Sequence, residues 1–209
     1  SIYVYFVLFF YTDSYFLRQS IAASIIVVAT LLILKNRLFF ACIMILFASG
    51  FHIISLLALP LIFFKKIKLS IKSAVFLLFL IYFIGIVGIT KLLLPFLQGG
   101  SFYAIDKLIR YSSNGFGESL GLMRGSVIVF TLFSLFYILS AKKIKVHFLH
   151  YDFFLNAMLY SLLFLVSFND FGVFGERMFR LFPVIFPVVI ASCFFVFEKN
   201  SKYVVIPSA

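Results

Sequence analysis

LFFACIMILFASGFHIISLLALPLIFF, residues 38–64, is an apolar run of 27 residues with Lys35-Asn36-Arg37 before it and Lys65-Lys66 after it. As one helix it would be about 40 Å long, more than the roughly 30 Å of a bilayer's hydrocarbon core. Lysines and arginines at membrane boundaries collect on the cytoplasmic side. A run with such clusters at both ends either crosses once against that rule or enters and returns as a pair of short helices. Ser49-Gly50 lies near its centre and offers a break, so a hairpin that turns there is expected.

Six further apolar runs occupy 2–11, 15–34, 73–94, 125–141, 153–168 and 178–197. Hydrophobic residues make up 64% of the 209-residue chain and charged residues 12%, with a mean hydropathy of +1.18. Soluble domains have about 45–50% apolar and about 25% charged residues, which excludes a water-soluble fold. The pattern predicts an all-α fold, a polytopic transmembrane helical bundle forming one domain over 1–209, with 38–64 as a broken or re-entrant helix pair. Because Ser1 is followed at once by the apolar run 2–11, the natural N-terminus is expected to lie further upstream. No cleavable signal with a basic n-region is visible.

A net charge of +11 would suggest nucleic acid in a soluble protein, but here the lysines form short clusters between apolar runs. Topology explains them, and no nucleic-acid partner is expected. Cys42 and Cys193 lie inside apolar runs and read as core residues rather than a disulfide pair.

With the hairpin in place, the basic linkers 35–37, 65–72 and 142–145 and the tail with Lys199 and Lys202 fall on the cytoplasmic side, and loops 95–124 and 169–177 fall outside. Ten of the twelve lysines are then inside, all but Lys91 and Lys107, while five of the six arginines are outside, all but Arg37. A planar guanidinium binds phosphate with two parallel hydrogen bonds, which gives outer arginines a use. Pairing with Asp13, Asp106, Glu118, Asp170 and Glu176 on the same side is the alternative. In the long outer loop, Phe102, Ile105, Leu108 and Ile109 recur at helical spacing, and Asp106, Lys107 and Arg110 take another face. That spacing predicts an interfacial helix. Residues 112–117 after it suit a plain surface loop or a lid.

Three places carry unusual chemistry. Arg18-Gln19 sits in the outer turns of an apolar helix, facing protein or ligand, or snorkelling to the surface. His52 stands beside the expected break, where a helix end can leave backbone groups to bind a ligand, although a lone histidine also packs as an ordinary core residue. Glu176, Arg177 and Arg180 open the last helix, with the two arginines at i,i+3. They form an anion site at a helix N-terminus, or a Glu176–Arg180 surface pair. His147 and His150 lie beside Lys145 in what reads as a solvated cytoplasmic loop. No metal-ligand spacing is present, and neither a metal nor another cofactor is expected.

At Leu17-Arg18-Gln19-Ser20-Ile21-Ala22, then Lys35-Asn36-Arg37, Phe39-Phe40 and 48–57 (ASGFHIISLL), the chain resembles the EpsG family of Wzy-type bacterial polysaccharide polymerases. The carrying features are an Arg-Gln helix start and a Phe-His with a small residue, Ser55, three positions further on. The segment from Glu176 to Phe182 is similar to the family's late arginine-bearing helix. Members are longer at the N-terminus, so earlier helices are expected upstream.

The resemblance implies a multi-pass enzyme of the bacterial cytoplasmic (inner) membrane, making exopolysaccharide or O-antigen. It would join repeat units carried on undecaprenyl pyrophosphate at the outer face. An acceptor hydroxyl attacks the donor's anomeric carbon, and the lipid pyrophosphate leaves with the bonding electrons. His52, or after it Glu176, would take the hydroxyl proton. Arg18, Gln19, Arg177, Arg180 and Arg110 would hold the pyrophosphate without a metal. The partners implied are the lipid-linked glycan, the bilayer and other polysaccharide-assembly proteins. A flippase or transporter of lipid-linked sugars and a membrane acyltransferase acting on a glycan are the rival readings.

Overall fold

The computed structural model describes residues 17–88, 121–122, 124–168, 179 and 185–197. Among them the regular structure is entirely helical: α1 Leu17–Leu34, α2 Leu38–Phe51, a 3₁₀ turn Ile53–Ala58, α3 Leu61–Phe64, α4 Ile71–Val87, α5 Gly125–Leu139, α6 Ala141–His147, α7 Tyr151–Ser167 and α8 Ile185–Phe197. The all-α class is as expected. The run 2–11 and the interfacial helix expected within 95–124 lie outside the described residues, as does the loop 169–177.

Helix α1 ends in a Schellman motif. The Arg37 N–H donates to Leu32 O at 2.8 Å and the Asn36 N–H to Ile33 O at 3.0 Å, and Asn36 has φ 60°. Asparagine tolerates this left-handed conformation better than most residues do, which is why the helix can stop and reverse here. Helix α2 then runs back along α1, in the most extensive pairing among the described helices.

The far end of 38–64 returns to the same place. Lys65 Nζ donates to Leu34 O at 2.8 Å and to Asn36 Oδ1 at 2.7 Å. A continuous helix would put Lys65 about 40 Å from Leu38, so this contact requires the run to fold back on itself. The hairpin is as expected, but its break is not at Ser49-Gly50. Both residues remain in α2, where Ser49 Oγ donates to Leu46 O at 2.6 Å within the helix. The chain turns instead at His52, whose φ −150° and ψ 107° are extended. Gly50 makes the site look breakable by propensity, but one glycine costs a helix only about 1 kcal/mol, which packing along α1 offsets.

Helix α4 starts at this same end, with Ser70 Oγ accepting the Ser73 N–H at 3.1 Å, and ends at Gly88, whose φ of 65° suits a residue without Cβ. Helix α7 is the axis of the bundle, with both faces buried along most of its length. It approaches α4 closely at Gly85, where a Cβ would lie 2.5 Å from Val166 Cγ1 and 3.0 Å from Val166 O. Tyr82 Oη donates at 2.5 Å to Thr131 Oγ1, which itself donates to Val127 O, and this ties α4 to α5.

Residues 142–145 are not a loop. They belong to α6, which leaves α5 at 72°. The physical reason is the apolar pair Ala141 and Ile144, spaced i,i+3 and buried, which gives three lysines a helix to ride on. His147 closes that helix and His150 precedes α7. Helix α7 begins two residues before the expected 153 because the buried Tyr151 ring stacks on Tyr137, 4.7 Å between centroids. Helix α8 covers 185–197 of the expected run 178–197.

Every described lysine therefore sits at one end of the bundle, since residues 35, 65–72 and 142–145 all flank helix termini that meet there. Lys143 Nζ also reaches Val196 O near the end of α8, at 3.5 Å. The flanks are apolar. Phe76, Phe79, Phe83 and Ile86 of α4 are all more than 60% exposed, as are Phe39 of α2 and Val129 of α5. Among the described helices α1, with 18 residues, is by itself long and apolar enough to cross a bilayer, and α5 with α6 passes only as a bent pair.

Candidate functional site

The end opposite the lysines carries Arg18 and Gln19 in the first turn of α1, Arg124 at the start of α5, and the hairpin tip at His52. Helices of equal rise that run back to back stay in register. From Leu38 to Phe51 is 14 residues, about 21 Å. The same distance back from Leu34 reaches Ile21. His52 thus emerges level with Ser20, within a turn of Arg18 and Gln19. Arg18 is exposed and Gln19 is buried.

His52 is fixed by its backbone. Its N–H donates to Ala48 O at 3.0 Å and its carbonyl accepts from the Ser55 N–H at 2.9 Å. The half-buried imidazole is held where α2 ends and the 3₁₀ turn begins. Ser55 is wholly buried, and its Oγ has no hydrogen-bond partner among the described residues.

The return limb of the hairpin is clamped by α7. Tyr160 Oη donates to Leu57 O at 3.0 Å, and its ring lies edge-on to Phe64 with 5.3 Å between centroids. Asn156 Nδ2, on a side chain only 8% exposed, donates to Phe64 O at 3.1 Å and to Ile67 O at 2.8 Å. Carbonyls of the 3₁₀ turn and of the end of the return limb thereby find donors, as buried polar groups must. Reasoning from the sequence missed both residues. The signal was there, since an asparagine inside an apolar run is costly without a partner.

Of the residues singled out from the sequence, the structure brings Arg18, Gln19 and His52 to one level. Arg110, Glu176, Arg177 and Arg180 lie outside the described residues. The separation of basic residues holds where it is described: all described lysines share one end with Arg37, and Arg18 and Arg124 are at the other.

All-helical architecture, phenylalanines turned outward and described lysines gathered at one end define an α-helical membrane protein. Residues 1–207 match the EpsG family model, and the chain belongs to the EpsG family, membrane proteins of polysaccharide biosynthesis. No curated protein and no solved structure matches it significantly.

Proposed function

We propose that this protein is a multi-pass polymerase of the bacterial cytoplasmic membrane that joins undecaprenyl-pyrophosphate-linked oligosaccharide repeat units at the outer face. The observation that carries this, beside the family, is that the hairpin delivers His52 to the level of Arg18-Gln19, at the end away from the lysines.

In that arrangement the arginines and Gln19 bind the pyrophosphate of the donor. The acceptor hydroxyl oxygen forms a bond to the anomeric carbon, and the bond from that carbon to the pyrophosphate oxygen breaks. The leaving pyrophosphate gains negative charge, which guanidinium groups stabilise without a metal. A neutral imidazole at His52 takes the hydroxyl proton. Glu176 is the second candidate for that step, and Arg110, Arg177 and Arg180 are assigned to the pyrophosphate with Arg18.

His52→Ala is expected to abolish polymer while lipid-linked single repeats accumulate at the outer surface and membrane abundance stays normal. Arg18→Lys should shorten the polymer, because a point charge lacks the fork; losing one charge-assisted contact of about 1.5–3 kcal/mol is roughly a ten- to hundredfold effect. Gels of lipid-linked glycan read both. Wild-type chain lengths from both variants would overturn the site. Loss of repeats from the outer surface would point to a flippase.

A further inference from the structure

The lysine end contains a built cavity that the polymerase reading does not use. It has a volume of about 370 Å³ and lies between the 65–70 linker and the turn from α6 to α7, with Lys65, Lys68, Lys145, His150, Phe148 and Leu149 in its wall. Lys145 pairs with Asp152 at 2.7 Å. Lys65 donates to two neutral oxygens, Leu34 O and Asn36 Oδ1, so its charge is not cancelled. Lys68 is exposed. Three lysines against one aspartate leave the wall positive. Burial first, and then the charge of Lys65, hold His150 below the ordinary imidazole pKa, as expected beside a positive site. The wall also has an apolar part, Phe148 and Leu149, and Leu149 is 89% exposed.

We infer that this cavity holds the phosphodiester of an anionic phospholipid, with Lys65 and Lys68 contacting the phosphate and Leu149 and Phe148 lying against its acyl chains. Basic pockets between helices on the cytoplasmic side are suited to such head groups. A soluble phosphate would use the lysines equally well but has no use for an exposed leucine in the wall. Only the choice of leaflet rests on the orientation proposed above; the site itself does not depend on the polymerase reading.

The test uses the purified full chain in a neutral detergent at constant ionic strength. Thermal unfolding midpoints are followed while short-chain phosphatidylglycerol, phosphatidylcholine with the same acyl chains, or inorganic phosphate is added. Phosphatidylglycerol should raise the midpoint in a saturable way, because a ligand that binds only the folded state stabilises it. The other two should not. Lys68→Gln should raise the half-saturating concentration about tenfold, the loss of one charge-assisted contact. Lys72→Gln, which removes a charge at the same end but outside the cavity wall, should change it less than about twofold. Leu149→Ser, which leaves all charges in place, should also weaken the effect.

Equal effects of Lys68→Gln and Lys72→Gln would overturn the site in favour of a diffuse surface charge. An equal shift with phosphatidylcholine would remove the need for an anionic head group. A full shift from inorganic phosphate alone would show a soluble-anion site and not a lipid site.

Discussion

Replacing Asn156 by leucine keeps the number and branching of the side-chain heavy atoms but removes the donor shared by Phe64 O and Ile67 O. Each hydrogen bond is worth about 0.5–1.5 kcal/mol net in water-soluble proteins and about 0.6 kcal/mol on average inside a membrane. The pair therefore contributes about 1–3 kcal/mol, with no cavity term to add because leucine is no smaller than asparagine. At 1.36 kcal/mol per factor of ten, a loss of about 2 kcal/mol raises the open population of the return limb roughly 30-fold. A cysteine at Ser55, wholly buried in the native hairpin, reports that opening. In a background with Cys42→Ala and Cys193→Ala, its labelling by a small thiol reagent should accelerate by that factor, because labelling tracks local opening when closing is fast. Asn156→Asp adds a second arm. An ionised carboxylate has no donor for either carbonyl and its protonated form has one, so its labelling rate relative to the parent should fall as the pH is lowered. Equal labelling of the Asn156→Leu protein and its parent, at equal membrane abundance, would refute the clamp.

Gly85→Ala should cost about 1–3 kcal/mol, read as a lowered unfolding midpoint, because the new Cβ meets the Val166 carbonyl at 3.0 Å and backbone cannot move aside cheaply. Gly50→Ala should stabilise by about 0.5–1 kcal/mol in the same assay, since nothing lies within 4 Å of its Cβ position and α2 is helical there. Stability should be full above the unfolded imidazole pKa of 6.5 and decline as pH falls below it, because His150, facing Lys65, Lys68, Lys145 and Asp152 across the cavity, has a lowered pKa and the unfolded chain binds the proton more readily. His150→Gln should flatten that part of a melting-versus-pH profile. Cysteines at Ser70 and Ser140 should resist an impermeant thiol reagent added to whole cells, and rapid labelling at either would reverse the proposed orientation.

The helices were legible from apolar runs because length and composition alone identify them, and the hairpin followed from lysines at both ends of one run. Its turning point did not follow. Ser49-Gly50 has the weaker helix propensity, yet the turn falls at His52, and local preference of about 1 kcal/mol gave way to packing along α1. Lys142–Lys145 looked like a loop because adjacent charges dominate the eye, while the apolar pair Ala141 and Ile144 that makes it helical is sparse. The level shared by Arg18 and His52 could be counted from a tight turn and equal rise. The clamps could not: Lys65 on Asn36, Asn156 on Ile67 and Tyr160 on Leu57 join residues 29, 89 and 103 positions apart, and periodicity carries no information at such range.

Those separations also set an order of assembly. Lys65 meets its acceptors on residues made 29 and 31 positions earlier, so the base of the hairpin can close soon after it is synthesised, a local contact of the kind that forms fast. Asn156 is made 92 residues after Phe64. At about 5–20 residues per second, the returning limb waits roughly 5–20 s for its clamp. During that interval the hairpin is tied at its foot and loose along its arm. A chain arrested before Asn156 is synthesised should therefore keep the Lys65 contact yet leave Ser55 open to modification, and the tip that carries His52 would be set in place only when α7 arrives.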